Sequence, residues 1–433
     1  MNLYEVSKMG AGLFLTDDGF DASHMDAIDA FLAQDATTIS NAVRSGLFLD
    51  EQSIENAKVN EGLPFTITPA YARNGQPNFQ DSEGNLITGI YSDMPNEVYH
   101  ALPAISSSKV KKFAKSPAHY KRAYIDKIDR KRTNRQQEHT FDAGTYAHEL
   151  LLEPDGFYDR YFRLLNATEH ENSIHSTEEL REKCKELKLT VSGSKAVLIE
   201  RILQINPTVA IFDNEQKLHM IAQAGLAAVE KALEVQSNST GRPTLADCLK
   251  HEDVKPLVKK TPIDPVVWDD AHRAEKTARE HEWADEILQN GFAELSVIAQ
   301  CPETGIMLKV RFDWLNRNGV PADVKTTRSA NPIQAAYQFG DLGYDLQAYM
   351  YTYVGRLAGI PCPERVFPFI AIEYLDADIC EVFELMDDDW EIAERNFHKH
   401  IVNLHECIEN DDWPGYTRQH RSTLLRLPKR GRV

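Results

Sequence analysis

The stretch 305–327, GIMLKVRFDWLNRNGVPADVKTT, constrains the fold more than any other part of the chain. Apolar and polar residues alternate from Ile306 to Asp313, which is the period-two pattern of a half-buried strand. Asn318-Gly319 is a strong turn signal, and a second strand is predicted at about 321–327. The stretch therefore predicts a β-hairpin.

The predicted hairpin brings acidic and basic side chains together. Reflection through the turn places Asp313 on or next to Asp323, and Asp323 shares a strand face with Lys325. Two close carboxylates repel each other unless a cation lies between them, and open oxygen ligands suit Mg²⁺ or Mn²⁺. Such a cation polarises phosphoryl oxygens and activates water, which a lysine can orient. An isolated D-x-K is more often a solvated surface pair, so the interpretation depends on the rest of the chain.

Composition limits the class of protein. A chain of 433 residues has room for about two or three domains, and no apolar run approaches the ~18 residues of a membrane span. The N-terminus lacks the pattern of an export signal. The six cysteines are scattered without a C-x-x-C pair, which argues against a zinc ribbon, an iron–sulfur cluster or a disulfide framework. We therefore expect a cytoplasmic protein that does not enter the membrane.

Charge is unevenly distributed. The net charge of −18 argues against a protein that coats DNA. Residues 109–135, however, hold eleven Lys or Arg against two acids. A bound polyanion should contact this region, and Lys109 and Lys112 are candidate DNA contacts. The alternative is a solvated basic face.

Two predicted helices carry further polar side chains. A helix at 141–154 places Gly144 and His148 on one face, one turn apart. Neutral imidazole is a competent metal ligand, although a histidine in a helix more often has a structural role. Asn331-Pro332 marks a loop, and a later helix places Gln347 and Tyr351 one turn apart.

Residues 172–206 predict a compact helix–loop–helix. Ser176 and Glu179 form a capping box, and Ser192-Gly193-Ser194 separates two short amphipathic helices. The pattern resembles the SAP motif, a small module that binds duplex DNA. The resemblance implies these phosphate contacts: Lys185, Lys188, Ser194, Lys195 and Arg201. An ordinary inserted helical hairpin is the alternative.

The motifs occur in a recognisable order: G-x-x-x-H on a helix, D and D-x-K on a three-stranded meander, Q-x-x-x-Y on a helix, then a strand. This order resembles the α-β-β-β-α-β core of the PD-(D/E)XK nucleases, in the His-bearing branch typified by the RecB nuclease domain. The carrying segments YSDMPNEVYHALPAISSSKVKKF, HELLLEP, KVRFDWL, ADVKTT, GYDLQAYMY and WPGY resemble the RecE-type exonucleases (exodeoxyribonuclease VIII) more closely still.

The resemblance implies an α/β fold with a mixed sheet flanked by helices. It covers residues 90–433, with the SAP-like unit as an insertion, and leaves residues 1–88 as a region of unknown role.

The resemblance also implies roles for the site residues. His148, Asp313 and Asp323 would hold a divalent metal with the help of the Val324 carbonyl. Lys325 would orient or activate the attacking water, and Gln347 and Tyr351 would support the site and contact the DNA backbone. Further candidates with weaker support are Glu294 as a second carboxylate behind the metal, and Lys309 and Arg311 as phosphate contacts, with a structural ion pair as the alternative for Arg311.

The implied activity is a Mg²⁺-dependent exodeoxyribonuclease, in which Mn²⁺ is expected to substitute. It would degrade linear duplex DNA from its ends, 5′ to 3′, and leave a 3′ single strand for recombination or annealing. RecE-type enzymes imply a ring-like homo-oligomer and a RecT-like single-strand annealing protein as partner. Two alternatives remain open: a structure-specific or endonucleolytic enzyme, and a DNA-binding scaffold without hydrolysis.

Overall fold

The computed structural model describes residues 14–15, 48–49, 56, 58–127, 135–239 and 243–416. Its strands are β1 (Phe14–Leu15), β2 (Phe48–Leu49), β3 (Ile67–Pro69), β4 (Gly89–Ser92), β5 (Tyr161–Arg163), β6 (Thr261–Ile263), β7 (Gly291–Gln300), β8 (Met307–Asn316), β9 (Pro321–Thr327), β10 (Phe369–Glu373) and β11 (Ile379–Phe383).

The α-helices are α1 (Asn96–Ala101), α2 (Ser107–Lys115), α3 (Pro117–Tyr120), α4 (Arg135–Leu152), α5 (Pro154–Arg160), α6 (Thr177–Glu186), α7 (Lys195–Ile205), α8 (Phe212–Ala224), α9 (Leu226–Asn238), α10 (Leu245–Leu249), α11 (Pro265–Glu280), α12 (Glu282–Ile287), α13 (Pro332–Leu342), α14 (Tyr344–Leu357) and α15 (Asp387–Asn410).

A seven-stranded mixed sheet forms the centre of the fold. Its order is β11-β10-β9-β8-β7-β4-β3, in which β9 and β10 are parallel, as are β3 and β4, and the other neighbours are antiparallel. Apolar side chains of α14 and α15 pack in one core with β7 and β8. Those of α4 and α11 pack in a second core with β9 and β10. The predicted α/β fold with a mixed sheet between helices is confirmed.

The predicted hairpin is formed by β8 and β9. Asn316 Oδ1 accepts hydrogen bonds from the N–H groups of Asn318 and Val320, and Gly319 adopts a φ of +88°, which glycine tolerates without strain. The ladder pairs Trp314 with Ala322, so that Asp313 lies level with Asp323, as the reflection predicts. The turn chemistry thus determines which acids meet.

Two parts of the chain differ from the sequence prediction. Strand β3 lies N-terminal to the predicted boundary at residues 88–90, yet it pairs with β4 at the edge of the main sheet. Its Ile67 is buried in the core beside Ile90, so an apolar edge strand and not a separate region explains this segment. Asn331-Pro332 resembles a loop signal, but the Asn331 side chain caps α13 and Pro332 begins it.

The segment from β5 to α10, between α4 and α11, has cores of its own. Helices α6 and α7 bury Leu180, Cys184, Leu198 and Ile202 in a small cluster, with the predicted capping box at Ser176 and Glu179. Helices α8 to α10 form a further cluster with β5. This segment therefore forms hydrophobic clusters distinct from those on the main sheet.

Candidate active site

Gly144 allows the histidine-bearing helix to approach the sheet closely. A Cβ atom at this position would lie 2.6 Å from Thr326 Oγ1, which is closer than carbon and oxygen can pack. Helix α4 therefore lies directly against β9, with Ala143 and Ala147 buried in the same interface. This approach explains the glycine of G-x-x-x-H, because His148 reaches the acids only when α4 lies this close.

His148 lies between two carboxylates. Its Nε2 atom is 3.0 Å from Asp313 Oδ2, and its Nδ1 atom is 3.8 Å from Glu294 Oε1. Ligand atoms of these three residues all lie within 4.8 Å of one another. Helix α4 and strands β7 and β8 thus contribute one potential ligand each.

Glu294 has an unusual backbone. Its neighbours pair as Ala293 with Trp314 and Leu295 with Phe312, so Glu294 is level with Asp313. Its φ is +53°, a left-handed conformation that costs a non-glycine residue on the order of 1 kcal/mol or more. Such strain inside a strand is typical of functional sites. The sequence predicts Glu294 only as a carboxylate behind the metal, although the register counted back from Asp313 places the two residues level.

Asp323 is held from two sides. Its side chain is 1% exposed, its Oδ1 atom accepts a hydrogen bond of 2.8 Å from Gln347 Nε2, and its Oδ2 atom is ion-paired with Lys325 Nζ. Gln347 Oε1 in turn accepts a hydrogen bond of 2.9 Å from Lys111 Nζ. Lys111 is a site residue that the sequence analysis missed, since a contact across 236 positions leaves no local signal.

The hairpin opens where the two aspartates lie. Asp313 Oδ2 accepts a hydrogen bond of 2.9 Å from the Val324 N–H, and regular pairing of β8 with β9 spans only the two residue pairs next to the turn. At the level of the acids, this side-chain hydrogen bond therefore joins β8 to β9 beyond the regular ladder.

The pKa values reflect crowded charges. Burial and the Asp313 charge raise the pKa of Asp323, whereas the charges of His148 and Lys325 outweigh burial and lower the pKa of Asp313. Burial, with the Asp313 charge, raises the pKa of Glu294 to about 7. Burial alone would lower the pKa of His148, but Asp313 and Glu294 raise it to about 9. Buried carboxylates that raise the pKa of one another favour a cation between them.

The donor set fits a divalent cation of the Mg²⁺ or Mn²⁺ type. Octahedral bonds of about 2.1 Å place neighbouring ligands about 3 Å apart, and Asp313 Oδ2 and His148 Nε2 are separated by 3.0 Å. Carboxylate oxygens with one imidazole suit Mn²⁺ and Mg²⁺ better than they suit the metals that prefer thiolate ligands. Asp323 lies outside the group of three and contacts Lys325 and Gln347 instead.

Several predicted phosphate contacts have protein partners. Lys309 is buried and donates to three carbonyls at the end of α1, those of Tyr99, His100 and Leu102. Arg311 donates to Ser296, Asn96 and Met94 and lies 4.3 Å from the Tyr99 ring centre. Lys109 Nζ donates to the Ala104 carbonyl. Lys309 and Arg311 thereby hold residues 94–102 against β8, and Arg311 also lies 3.9 Å from Glu294, which favours the structural ion pair as the role of Arg311.

The other predicted site residues lie nearby. Tyr351 packs edge-on against Phe312 and forms a side-chain hydrogen bond with Ser107. Val324 buries its side chain and donates its N–H to Asp313. Lys112 lines a cleft beside Lys325. Four basic residues of the 109–135 run, from Arg130 onwards, lie outside the residues whose side chains are described.

The basic residues of the SAP-like unit differ in their partners. Lys195 is ion-paired with Asp213, and Arg201 donates to the carbonyls of Thr190 and Ser192, so it holds the loop between the helices. Ser194 caps α7. Lys185 and Lys188 are exposed. The two exposed lysines are therefore the better candidates for a phosphate contact.

Residues 249–422 match the family model of a PDDEXK-like domain of unknown function (DUF3799), and residues 176–205 match the SAP domain. A crystal structure from Eubacterium rectale described as a "Putative exonuclease" aligns over 78% of this chain and 96% of its own, at 10% identity and a TM-score of 0.39. None of the curated proteins matches the chain. The two family matches support a nuclease with a DNA-binding SAP domain.

Within the described part of the chain, no helix combines the length and the apolar composition that a bilayer crossing requires.

Proposed function

We propose that the protein is a divalent-metal-dependent nuclease that hydrolyses phosphodiester bonds of DNA. The observation that carries the proposal is the convergence of His148, Glu294 and Asp313 on one point, beside the buried Asp323–Lys325 pair. Oxygen and imidazole ligands next to an ammonium group are the components that phosphoryl hydrolysis requires.

We assign the metal to His148 and Asp313, with Glu294 as a third ligand or as the carboxylate that orients the imidazole through Nδ1. Asp323 would turn one oxygen to the same cation, as the motif resemblance implies. A bound divalent cation would supply Lewis acidity towards a phosphoryl oxygen and lower the pKa of water.

The protein's own groups would do the positioning. Lys325, ion-paired with Asp323, carries a positive charge that stabilises the developing negative charge and orients the water. Gln347 fixes the Asp323 carboxylate by a hydrogen bond and is itself fixed by Lys111. Preorganised donors of this kind cost no reorganisation at the moment of reaction.

The finer activity is proposed from the motif resemblance. We infer an exonuclease that degrades linear duplex DNA from its ends, 5′ to 3′, to leave a 3′ single strand for recombination or annealing. The SAP unit would hold duplex DNA near the site. A homo-oligomer and a RecT-like annealing protein would complete the system.

Digestion of DNA with defined ends tests the proposal. Linear duplex labelled separately at each 5′ and 3′ terminus is incubated with Mg²⁺ alongside covalently closed circular DNA, and Asp313→Asn serves as the control variant. We expect early loss of the 5′ label, an intact circle and an inactive variant. Nicking of the circle would favour the endonuclease alternative, and absence of any digestion would favour the non-hydrolytic scaffold.

A further inference from the structure

A cleft of about 650 Å³ lies on the Lys325 side of the site. Its walls come from four helices: α2, α13 and α14 at their junction, and α15. Lys325 and Gln347 form part of its lining, so the cleft opens directly onto the candidate active site. A cavity of this volume is in the range of ligand-binding pockets, about 300–1,000 Å³, and is too small to admit a DNA duplex.

One helical stripe of α2 lines this cleft. Ser108, Lys111, Lys112 and Lys115 follow the spacing i, i+3, i+4 and i+7, and all four belong to the lining. Val110 and Phe113, on the other side of the helix, are buried in the core. The stripe from Ser108 to Lys115 is about 10 Å long at 1.5 Å per residue, which is enough to contact more than one phosphate group.

The cleft is basic in an acidic protein. Among the described residues that line it, Lys111, Lys112, Lys115 and Lys325 face two acids, Asp341 and Asp345. The whole chain carries a net charge of −18. A basic concavity in such a protein concentrates anionic ligands at this place and repels them elsewhere. Asn396 and His400, one turn apart on α15, offer further polar groups from the opposite wall.

Lys111 connects the cleft to the reacting groups. Its ammonium group hydrogen-bonds to Gln347, which hydrogen-bonds to Asp323. The ammonium groups of Lys111 and Lys325 both lie 5.2 Å from the centre of the Tyr344 ring. Burial, together with the Lys325 charge, lowers the pKa of Lys111 to about 8. An anion between these two ammonium groups would offset their repulsion.

We propose that this cleft binds the phosphodiester backbone of a single DNA strand next to the scissile bond, through Lys111, Lys112 and Lys115. The identity of the ligand as DNA rests on the proposed function, whereas the preference for an extended polyanion rests on the cleft itself. The cleft would guide one strand past Lys325 while the duplex stays outside.

Binding of a short single strand tests this inference without hydrolysis. The full chain is titrated in EDTA into a fluorescein-labelled six-nucleotide oligothymidylate at several salt concentrations, and anisotropy is read. The test variant is Lys112→Glu with Lys115→Glu, and the matched control is Lys58→Glu with Lys255→Glu, two exposed lysines outside the cleft. A neutral variant, Lys112→Gln with Lys115→Gln, covers the case in which charge reversal impairs folding.

We expect the test variant to bind at least about tenfold more weakly than the parent. The slope of log affinity against log salt should fall by roughly 1.4, at about 0.7 for each lost single-strand phosphate contact. The control should stay within about twofold of the parent, and the neutral variant should lie between. Equal binding by the test and control variants would overturn the inference, as would equal competition by a poly-glutamate peptide of matched charge.

Failure of this inference is separable from failure of the proposed function. If the parent digests linear duplex but the test variant binds the oligonucleotide as tightly as the parent, the cleft proposal fails and the nuclease proposal stands. If the parent digests no DNA but the test variant binds the oligonucleotide more weakly than the parent, the nuclease proposal fails and the cleft remains a strand-binding site.

Discussion

The candidate active site and the SAP-like unit use polar side chains in opposite ways. In the active site, His148, Glu294, Asp313 and Asp323 come from four elements and are half-buried or buried, with several protein partners each. In the SAP-like unit, Lys185 and Lys188 lie three residues apart and are exposed, whereas Lys195 and Arg201 already have protein partners. The active site is a single interlocked arrangement, and the two exposed lysines are nearly independent charges.

The difference predicts how each region responds to substitution. Removal of one member of an interlocked buried group leaves the others unpaired, so the loss is large and not additive. Removal of an exposed charge takes away one screened contact with DNA, and such contacts contribute to the binding free energy almost independently.

The largest effect is expected for Asp313→Asn. The amide keeps the shape of the side chain but removes the charge that His148 and the cation require, so Mg²⁺-dependent digestion should fall by on the order of 10³-fold or more. Initial rates on linear duplex measure it. A loss below about tenfold would show that Asp313 does not hold the metal.

A smaller loss is expected for Lys325→Met. Without the ammonium group the developing charge is less stabilised, and kcat should fall by about 10²–10³-fold. Affinity for Mn²⁺ should change little, because Lys325 is not a ligand. Lys325→Arg, which keeps the charge, serves as the control and should retain more activity than Lys325→Met. Equal activity of the two variants would contradict an electrostatic role.

Gly144→Ala should have an intermediate effect at a distance from the chemistry. The added methyl group would collide with Thr326 Oγ1, and the displaced α4 should cost about 1–3 kcal/mol of stability and about tenfold in kcat. Thermal unfolding and initial rates measure both losses.

A second substitution provides the control for Gly144→Ala. Thr326→Ala removes the colliding oxygen, so the double variant Gly144→Ala with Thr326→Ala should recover most of the loss. Failure to recover would mean that the glycine serves a purpose other than close approach.

The smallest effect is expected in the SAP-like unit. Lys185→Ala with Lys188→Ala should raise KM for duplex DNA about three- to fivefold and leave kcat unchanged, because two phosphate contacts are lost and the site is untouched. Lys183→Ala is the matched control on the same helix, since Lys183 is already ion-paired with Glu186. An unchanged KM in the double variant would exclude these lysines from duplex binding.

Local patterns predicted much of the fold. The alternation in β8, the Asn-Gly turn and the helix caps placed the hairpin, its register and the SAP-like helices, because these signals act over a few residues. The position of the turn alone is enough to predict that Asp313 lies opposite Asp323 in the hairpin.

Contacts between distant segments could not be predicted in this way. The bond of Lys111 to Gln347 and the pairing of β3 with β4 depend on packing of the whole chain. The partners of Lys309 and Arg311 are backbone and side-chain oxygens of α1 and its surroundings, which no spacing in β8 reveals. Glu294 is an intermediate case. Its register can be counted from Asp313 in the sequence, but its left-handed backbone conformation cannot be predicted from the sequence pattern.

Calorimetric titration of Mn²⁺ tests the proposed cation site itself, since it measures binding without hydrolysis. The parent chain should bind Mn²⁺ with measurable heat, Lys325→Met should bind it comparably, and Asp313→Asn should lose the binding. Undiminished binding by Asp313→Asn, or no binding by the parent, would contradict the account that α4 and the central strands build one divalent-cation site beside Lys325.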